Sequence, residues 1–142
     1  VECIDEILDA AQGKIDNITI GRTDLSQSYL SSKIQPDSVF IFDLIRELSQ
    51  KVHAAGLALT VGGSISKNSI ERFKQVKDTL EGRSLDIETR KIVLPIEGFL
   101  KSKQALEEAL KFEEYYIRAK LETEQLLSKA DRDRLENLKL RI

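Results

Sequence analysis

The chain has 142 residues, 41% hydrophobic and 32% charged, with a formal net charge of −2. That is the composition of one soluble globular domain with a core of its own, and the interspersed charge excludes the basic stripe that holds a nucleic-acid backbone. Apolar runs fall well short of the roughly 20 residues of a membrane helix, so no membrane partner is expected. A lone cysteine, Cys3, excludes an internal disulfide and makes a reducing, cytoplasmic compartment the expectation, with the thiol as a small buried hydrophobe. The chain contains no methionine, which points to a piece of a longer protein.

The first predicted element is a short helix in ECIDEILDAA, where Ile4, Ile7 and Leu8 recur at helical spacing before Gly13. IDNITI follows as a short apolar run ended by Gly21, the pattern of a strand buried in a parallel sheet. After Pro36, with Asp37 or Ser38 able to cap, Ile41, Leu44, Ile45, Leu48, Val52 and Ala55 predict a long helix stopped at Gly56. His53, the only histidine, lies in its last turn, where an imidazole is favourable near the final carbonyls.

LALTV is a second continuous strand, closed by Gly62 and Gly63, and Ser66 caps a following helix bearing Ile70, Phe73 and Val76. A third strand is predicted over 85–95, with Glu88, Arg90 and Lys91 in its middle. Those charges either pair with one another or meet a substrate or phosphate, since bare charge in a sheet interior is costly. From Gln104 the pattern is wholly helical, with Leu106, Leu110, Ile117 and Leu121 on one face. A break is expected near Ser128, before a second stripe of Leu135, Leu138 and Ile142.

Alternating helices and apolar strands predict an α/β fold with a helix-covered parallel sheet. In such folds ligands bind at the carboxyl ends of the strands. Gly21, Arg22, Thr23 and Asp24 end one strand, and Gly62, Gly63 and Ser64 end the next. A strand-end carboxylate beside glycines suits Mg²⁺ or Mn²⁺, because hard cations select oxygen donors; alternatively Asp24 caps the turn into Leu25. Ser64 and Ser66 offer donors to an anion at a helix N-terminus or serve only as caps.

The stretch IGRTDLSQS, followed by AAGLALTVGG and SISKNSIERF, resembles the carboxyl-terminal half of the HpcH/HpaI aldolase and citrate lyase β-subunit superfamily. ETRKIV and the helical ending resemble its aldolase/citrate-lyase-like subgroup. The resemblance implies the carboxyl-terminal portion, about three strands plus helices, of a (β/α)8 TIM barrel with a helical extension. Residues 1–103 would carry strands six to eight, and 104–142 the terminal helices. It implies a metal-dependent carbon–carbon lyase acting on a 2-keto acid or acyl substrate through a metal-stabilised enolate. Asp24 matches the family's aspartate ligand to Mg²⁺ or Mn²⁺, and Arg22, Thr23, Gly62 and Gly63 the substrate-binding stretch. Where the family carries proline this chain has Arg22, which either reaches a substrate anion or is a neutral departure.

A whole barrel needs about 250 residues and eight strands. The family's glutamate ligand, arginine and catalytic base map upstream of Val1, so no catalytic residue is assigned within this chain. Two readings follow: a lyase once an amino-terminal half-barrel is supplied, or a non-catalytic oligomerising module that pairs with another chain. The apolar stripe of residues 104–142 should be buried somewhere, and a homo-oligomer is expected to use it.

Overall fold

The computed structural model describes residues 1–80, 82–102 and 104–139. It divides into two compact units, Val1–Ala109 and Leu110–Ile142. The first is α/β. Its elements run α1 (Ile4–Ala11), β1 (Asn17–Gly21), α2 (Arg22–Ser28), α3 (Val39–Ala54), β2 (Ala58–Gly62), α4 (Lys67–Asp78), β3 (Asp86–Glu88), β4 (Val93–Pro95) and α5 (Ile96–Lys101). The four strands form one sheet in the order β1-β2-β3-β4; β1, β2 and β3 are parallel, and β4 runs antiparallel to β3.

Register explains the two faces of this sheet. Ile20, Val61 and Ile87 are partners across the parallel strands, as are Ile18 and Leu59. Side chains alternate along a strand, so these residues share one face. It joins Ile41, Ile45, Leu48 and Val52 of α3 and Ile70, Phe73 and Val76 of α4 in a single core. Burying each such side chain contributes roughly 1.5–3 kcal/mol. The opposite face carries the alternate positions: Asn17 and Thr19 are exposed, while Asp86 and Glu88 are half-buried. Among the described residues, β1 pairs with no strand but β2.

Helix ends follow local chemistry. Ser38 caps α3 by accepting from the Ile41 amide, and Ser66 with Ser69 forms a capping box on α4. Cys3, expected inside, is exposed. Three further sequence expectations are corrected. Residues 22–28, read as a strand-end turn, form a helix. The single strand over 85–95 is a tight hairpin, β3 and β4, turning at Arg90, whose φ is 67°. Arg90 and Lys91 thereby lie at an exposed turn instead of in a sheet interior. Finally, α6 (Ala105–Lys139) runs through Ser128 without a break; Ser128 and Asp131 can cap a helix, but with no glycine or proline across this span nothing forces an end.

Candidate functional site

Beyond the paired carboxyl ends of β1 and β2, one side chain gathers the segments that follow them. Arg22, first residue of α2, is 0% exposed. Its Nη1 donates to Asp37 Oδ1 at 2.6 Å and to the Pro36 carbonyl at 3.1 Å. Its Nη2 donates to the carbonyls of Gly63 (2.5 Å) and Ser64 (3.0 Å) and to Ser69 Oγ (3.2 Å). The guanidinium carbon also lies 5.0 Å and 5.5 Å from the ring centroids of Phe73 and Phe42, within cation–π reach. Burial pulls the Arg22 pKa down, opposed by Asp37. Burial pushes the Asp37 carboxyl up, but hydrogen bonds from Arg22, Ser69 and Ser66 outweigh it and leave the pKa below the usual carboxylate value.

This network ties together the end of β1, the turn after β2, the start of α3 and the start of α4. The sequence leaves Arg22 either to reach a substrate anion or to be a neutral departure; both of its terminal nitrogens are taken up here and its Nε is buried without a hydrogen-bond partner, so contact with a substrate anion would require breaking these bonds. Asp37 and Ser69 were not singled out as site residues from the sequence. The only available signal was Pro36–Asp37 ahead of a helix, which reads equally well as a cap.

Beside the network lies a polar ledge. Gly21, Gly62 and Glu88 are register partners across β1, β2 and β3 and so share the polar face. A Cβ built on Gly21 would sit 3.3 Å from Asp24 Oδ2, and one on Gly62 would sit 3.4 Å from Glu88 Oε2. The two carboxylates therefore reach over adjacent glycines of neighbouring strands. Asp24 is exposed and Glu88 half-buried. Thr23 Oγ1 is 3.1 Å from Ser64 Oγ, and both residues line an open cavity of about 400 Å³ with Ser26, Gln27 and Gln35. Gly63 has φ +88° and Ser64 φ 49°, so two successive left-handed residues turn the chain sharply after β2.

The chain matches no family model, no curated protein and no solved structure. The chemistry of the ledge is thus argued from its own donors. Among the described residues no group of three or more His, Cys, Asp or Glu side chains is placed to hold a metal. One or two carboxylates still fit Mg²⁺ or Mn²⁺, since Mg²⁺ commonly takes one or two from the protein and fills its remaining positions with water and substrate oxygens. No described helix is long and apolar enough to cross a membrane.

His53 lies away from the ledge. Its Nδ1 is 3.2 Å from the Leu57 carbonyl, where it must donate, and its Nε2 is buried without a partner. Burial lowers its pKa, against the hydrogen bond to Leu57 and together with the positive charge of Arg83. Protonating Nε2 would bury an N–H with no acceptor, which is unfavourable. Its neutral form is therefore the native one above the unfolded histidine pKa of about 6.5. As pH falls below that value the unfolded chain takes up a proton before the native chain does, and stability declines. His53 is the only histidine, and Asp37 and Glu97 titrate below the usual carboxylate range. Urea midpoints from pH 7 to 5 should therefore fall in the parent and flatten in His53→Leu; equal slopes would remove His53 as the cause.

Proposed function

We propose that residues 1–109 form the carboxyl-terminal part of a (β/α)8-type barrel serving a divalent-metal-dependent carbon–carbon lyase, of the kind found in the HpcH/HpaI aldolase and citrate lyase β-subunit superfamily. The observation that carries this reading is the ledge: Asp24 and Glu88 lean over Gly21 and Gly62 at the carboxyl ends of parallel strands, on the polar face of the sheet. In a closed barrel that face would line the interior, and strand ends of this kind carry the site. Asp24 would hold Mg²⁺ or Mn²⁺, with water and a 2-keto acid or acyl substrate completing the coordination. The cation would supply charge withdrawal from substrate oxygens as an enolate develops. Thr23, Gly62 and Gly63 form the floor against which the substrate packs, and Arg22 fixes the loops that carry them. The remaining strands and the catalytic base come from outside these residues.

A Mn²⁺ titration followed by water-proton relaxation tests the assignment. Asp24→Ala should weaken Mn²⁺ binding at least about tenfold, the loss of roughly 1.4 kcal/mol of ligand free energy, with an unchanged urea midpoint because Asp24 is exposed. Equal Mn²⁺ affinity in parent and variant would refute it. Among the described residues β1, which carries the exposed Asn17 and Thr19, pairs with no strand but β2, and that open edge favours the second reading, a non-catalytic half-barrel that pairs through it. Strand pairing without Asp24-dependent metal binding would establish that alternative.

A further inference from the structure

We infer that the cavity between the last turn of α3 and the turn after α4 binds a small zwitterion, an α-amino acid with an aliphatic side chain, its ammonium on His53 and its carboxylate on Arg83. Gln50, His53, Thr79, Leu80 and Arg83 wall this open cavity of about 230 Å³. Leu57 leads into β2 and Arg83 lies just before β3, so the cavity sits at the amino ends of the strands, away from the ledge. The site is independent of the lyase reading.

One side of the cavity only accepts. His53 is 9% exposed, and its Nδ1 keeps the ring proton on the Leu57 carbonyl, 3.2 Å away. Leu57 is not a wall of the cavity, so the opposite edge of the ring, with the Nε2 lone pair, turns toward it. Nε2 is buried without a partner, although buried polar atoms are almost always paired. Thr79 Oγ1 spends its own proton on the Val76 carbonyl at 2.6 Å, which leaves its lone pairs to accept as well. A ligand that fills this side must donate.

Charge then selects among donors. α3 ends at Ala54 and α4 at Asp78, and the partial negative charge at the carboxyl end of a helix favours a cation. An ammonium group, with three N–H donors, suits both acceptors and both helix ends. A cation alone does not, because Arg83 is close enough for its charge to help lower the His53 pKa. The guanidinium fork instead takes a carboxylate through two parallel hydrogen bonds, and the Gln50 amide adds a further donor. An anion alone would set its charge against two helix ends and leave Nε2 unmet. Only a ligand carrying both charges serves both sides. Leu80, 3% exposed, gives an apolar wall for an aliphatic side chain, and the exposed side chains of Gln50, Thr79 and Arg83 can move to admit it.

The test uses the full chain without added metal. His53 is the only histidine, so the imidazole nitrogen NMR signals report this site alone. L-Leucine should bind and shift the Nε2 signal. It should bind at least about tenfold more tightly than isocaproate, which lacks the ammonium, or isopentylamine, which lacks the carboxylate. Arg83→Gln, at an exposed position, should keep the urea midpoint of the parent and weaken leucine binding at least about tenfold. Failure of both glycine and leucine to bind overturns the inference. So does either fragment binding as tightly as leucine, leucine binding that leaves the Nε2 signal unmoved, or equal leucine affinity in parent and Arg83→Gln. None of these readouts involves Asp24 or a metal, so their failure is distinct from failure of the lyase reading.

Discussion

Replacing Arg22 with alanine is expected to lower the stability of residues 1–109 by about 3–5 kcal/mol, the loss typical when one partner of a buried ion pair is removed. The magnitude comes less from the pair itself than from what it leaves behind. Asp37 keeps 39% of its side chain in water and retains Ser66 and Ser69 as donors, so it can be rehydrated cheaply. The carbonyls of Pro36, Gly63 and Ser64 lose the guanidinium donors that hold them, and an acceptor stranded in a buried site costs about 1–3 kcal/mol. A void also opens beside Phe42 and Phe73. A lysine restores charge but not the planar fork that serves two strand ends at once, so Arg22→Lys should recover a minority of the loss. Since ordinary domains are stable by about 5–15 kcal/mol, Arg22→Ala should shift the urea midpoint sharply or yield an unfolded chain. A midpoint within error of the parent would show that the network is not what holds the turn after β2 to the start of α2 and the segment before α3. At low pH the parent should approach the variant: the Asp37 pKa is lowered in the folded state, so its contribution is present above the unfolded carboxylate value and is lost as pH falls through the folded one.

The sequence made the regular elements legible wherever hydrophobic period and cap chemistry agreed. Both signals were present for α3, with Ser38 before Ile41, Ile45, Leu48 and Val52, and for α4, with Ser66 before Ile70, Phe73 and Val76. The β1 and β2 strands were readable as short β-branched or aliphatic runs closed by glycine. Residues 85–95 misled because Leu85, Ile87 and Ile92 to Leu94 are as apolar on the two arms of a hairpin as on one strand. Only the charged Arg90–Lys91 pair marks the turn, and it lacks the glycine or asparagine that usually announces one. At the site, Gly21, Asp24, Gly62 and Gly63 were recognisable as strand-end residues, because short-range order places them. The role of Arg22 was not, because it depends on Asp37, Gly63 and Ser69, up to 47 residues away, which no local pattern brings together. The place of Glu88 beside Gly62 likewise needed the β2–β3 register.

Gly63→Ala should cost about 2–4 kcal/mol, combining a left-handed backbone penalty near 1 kcal/mol with overpacking of about 1–3 kcal/mol. At φ +88° an alanine is strained whatever the space around it, and here there is none. Its Cβ would meet the Thr23 amide nitrogen at 2.7 Å, Thr23 Oγ1 at 2.9 Å and the Arg22 amide nitrogen at 3.0 Å. Two of these atoms are backbone and cannot swing aside. Gly62→Ala provides the control one residue earlier: its φ is ordinary and its nearest contacts, all to Glu88, lie at 3.4–3.5 Å. Alanine also loses less entropy than glycine in a strand, so Gly62→Ala should leave the urea midpoint within about 1 kcal/mol of the parent while setting a methyl on the ledge against Glu88. The Gly63 carbonyl is itself an Arg22 acceptor, and a shifted turn forfeits that bond. Arg22→Ala and Gly63→Ala should therefore combine to less than the sum of their separate losses, as residues sharing one network do. Additive losses would mean that the turn after β2 holds its shape without the guanidinium, and that the close approach of Gly63 to Thr23 alone sets the geometry of the ledge.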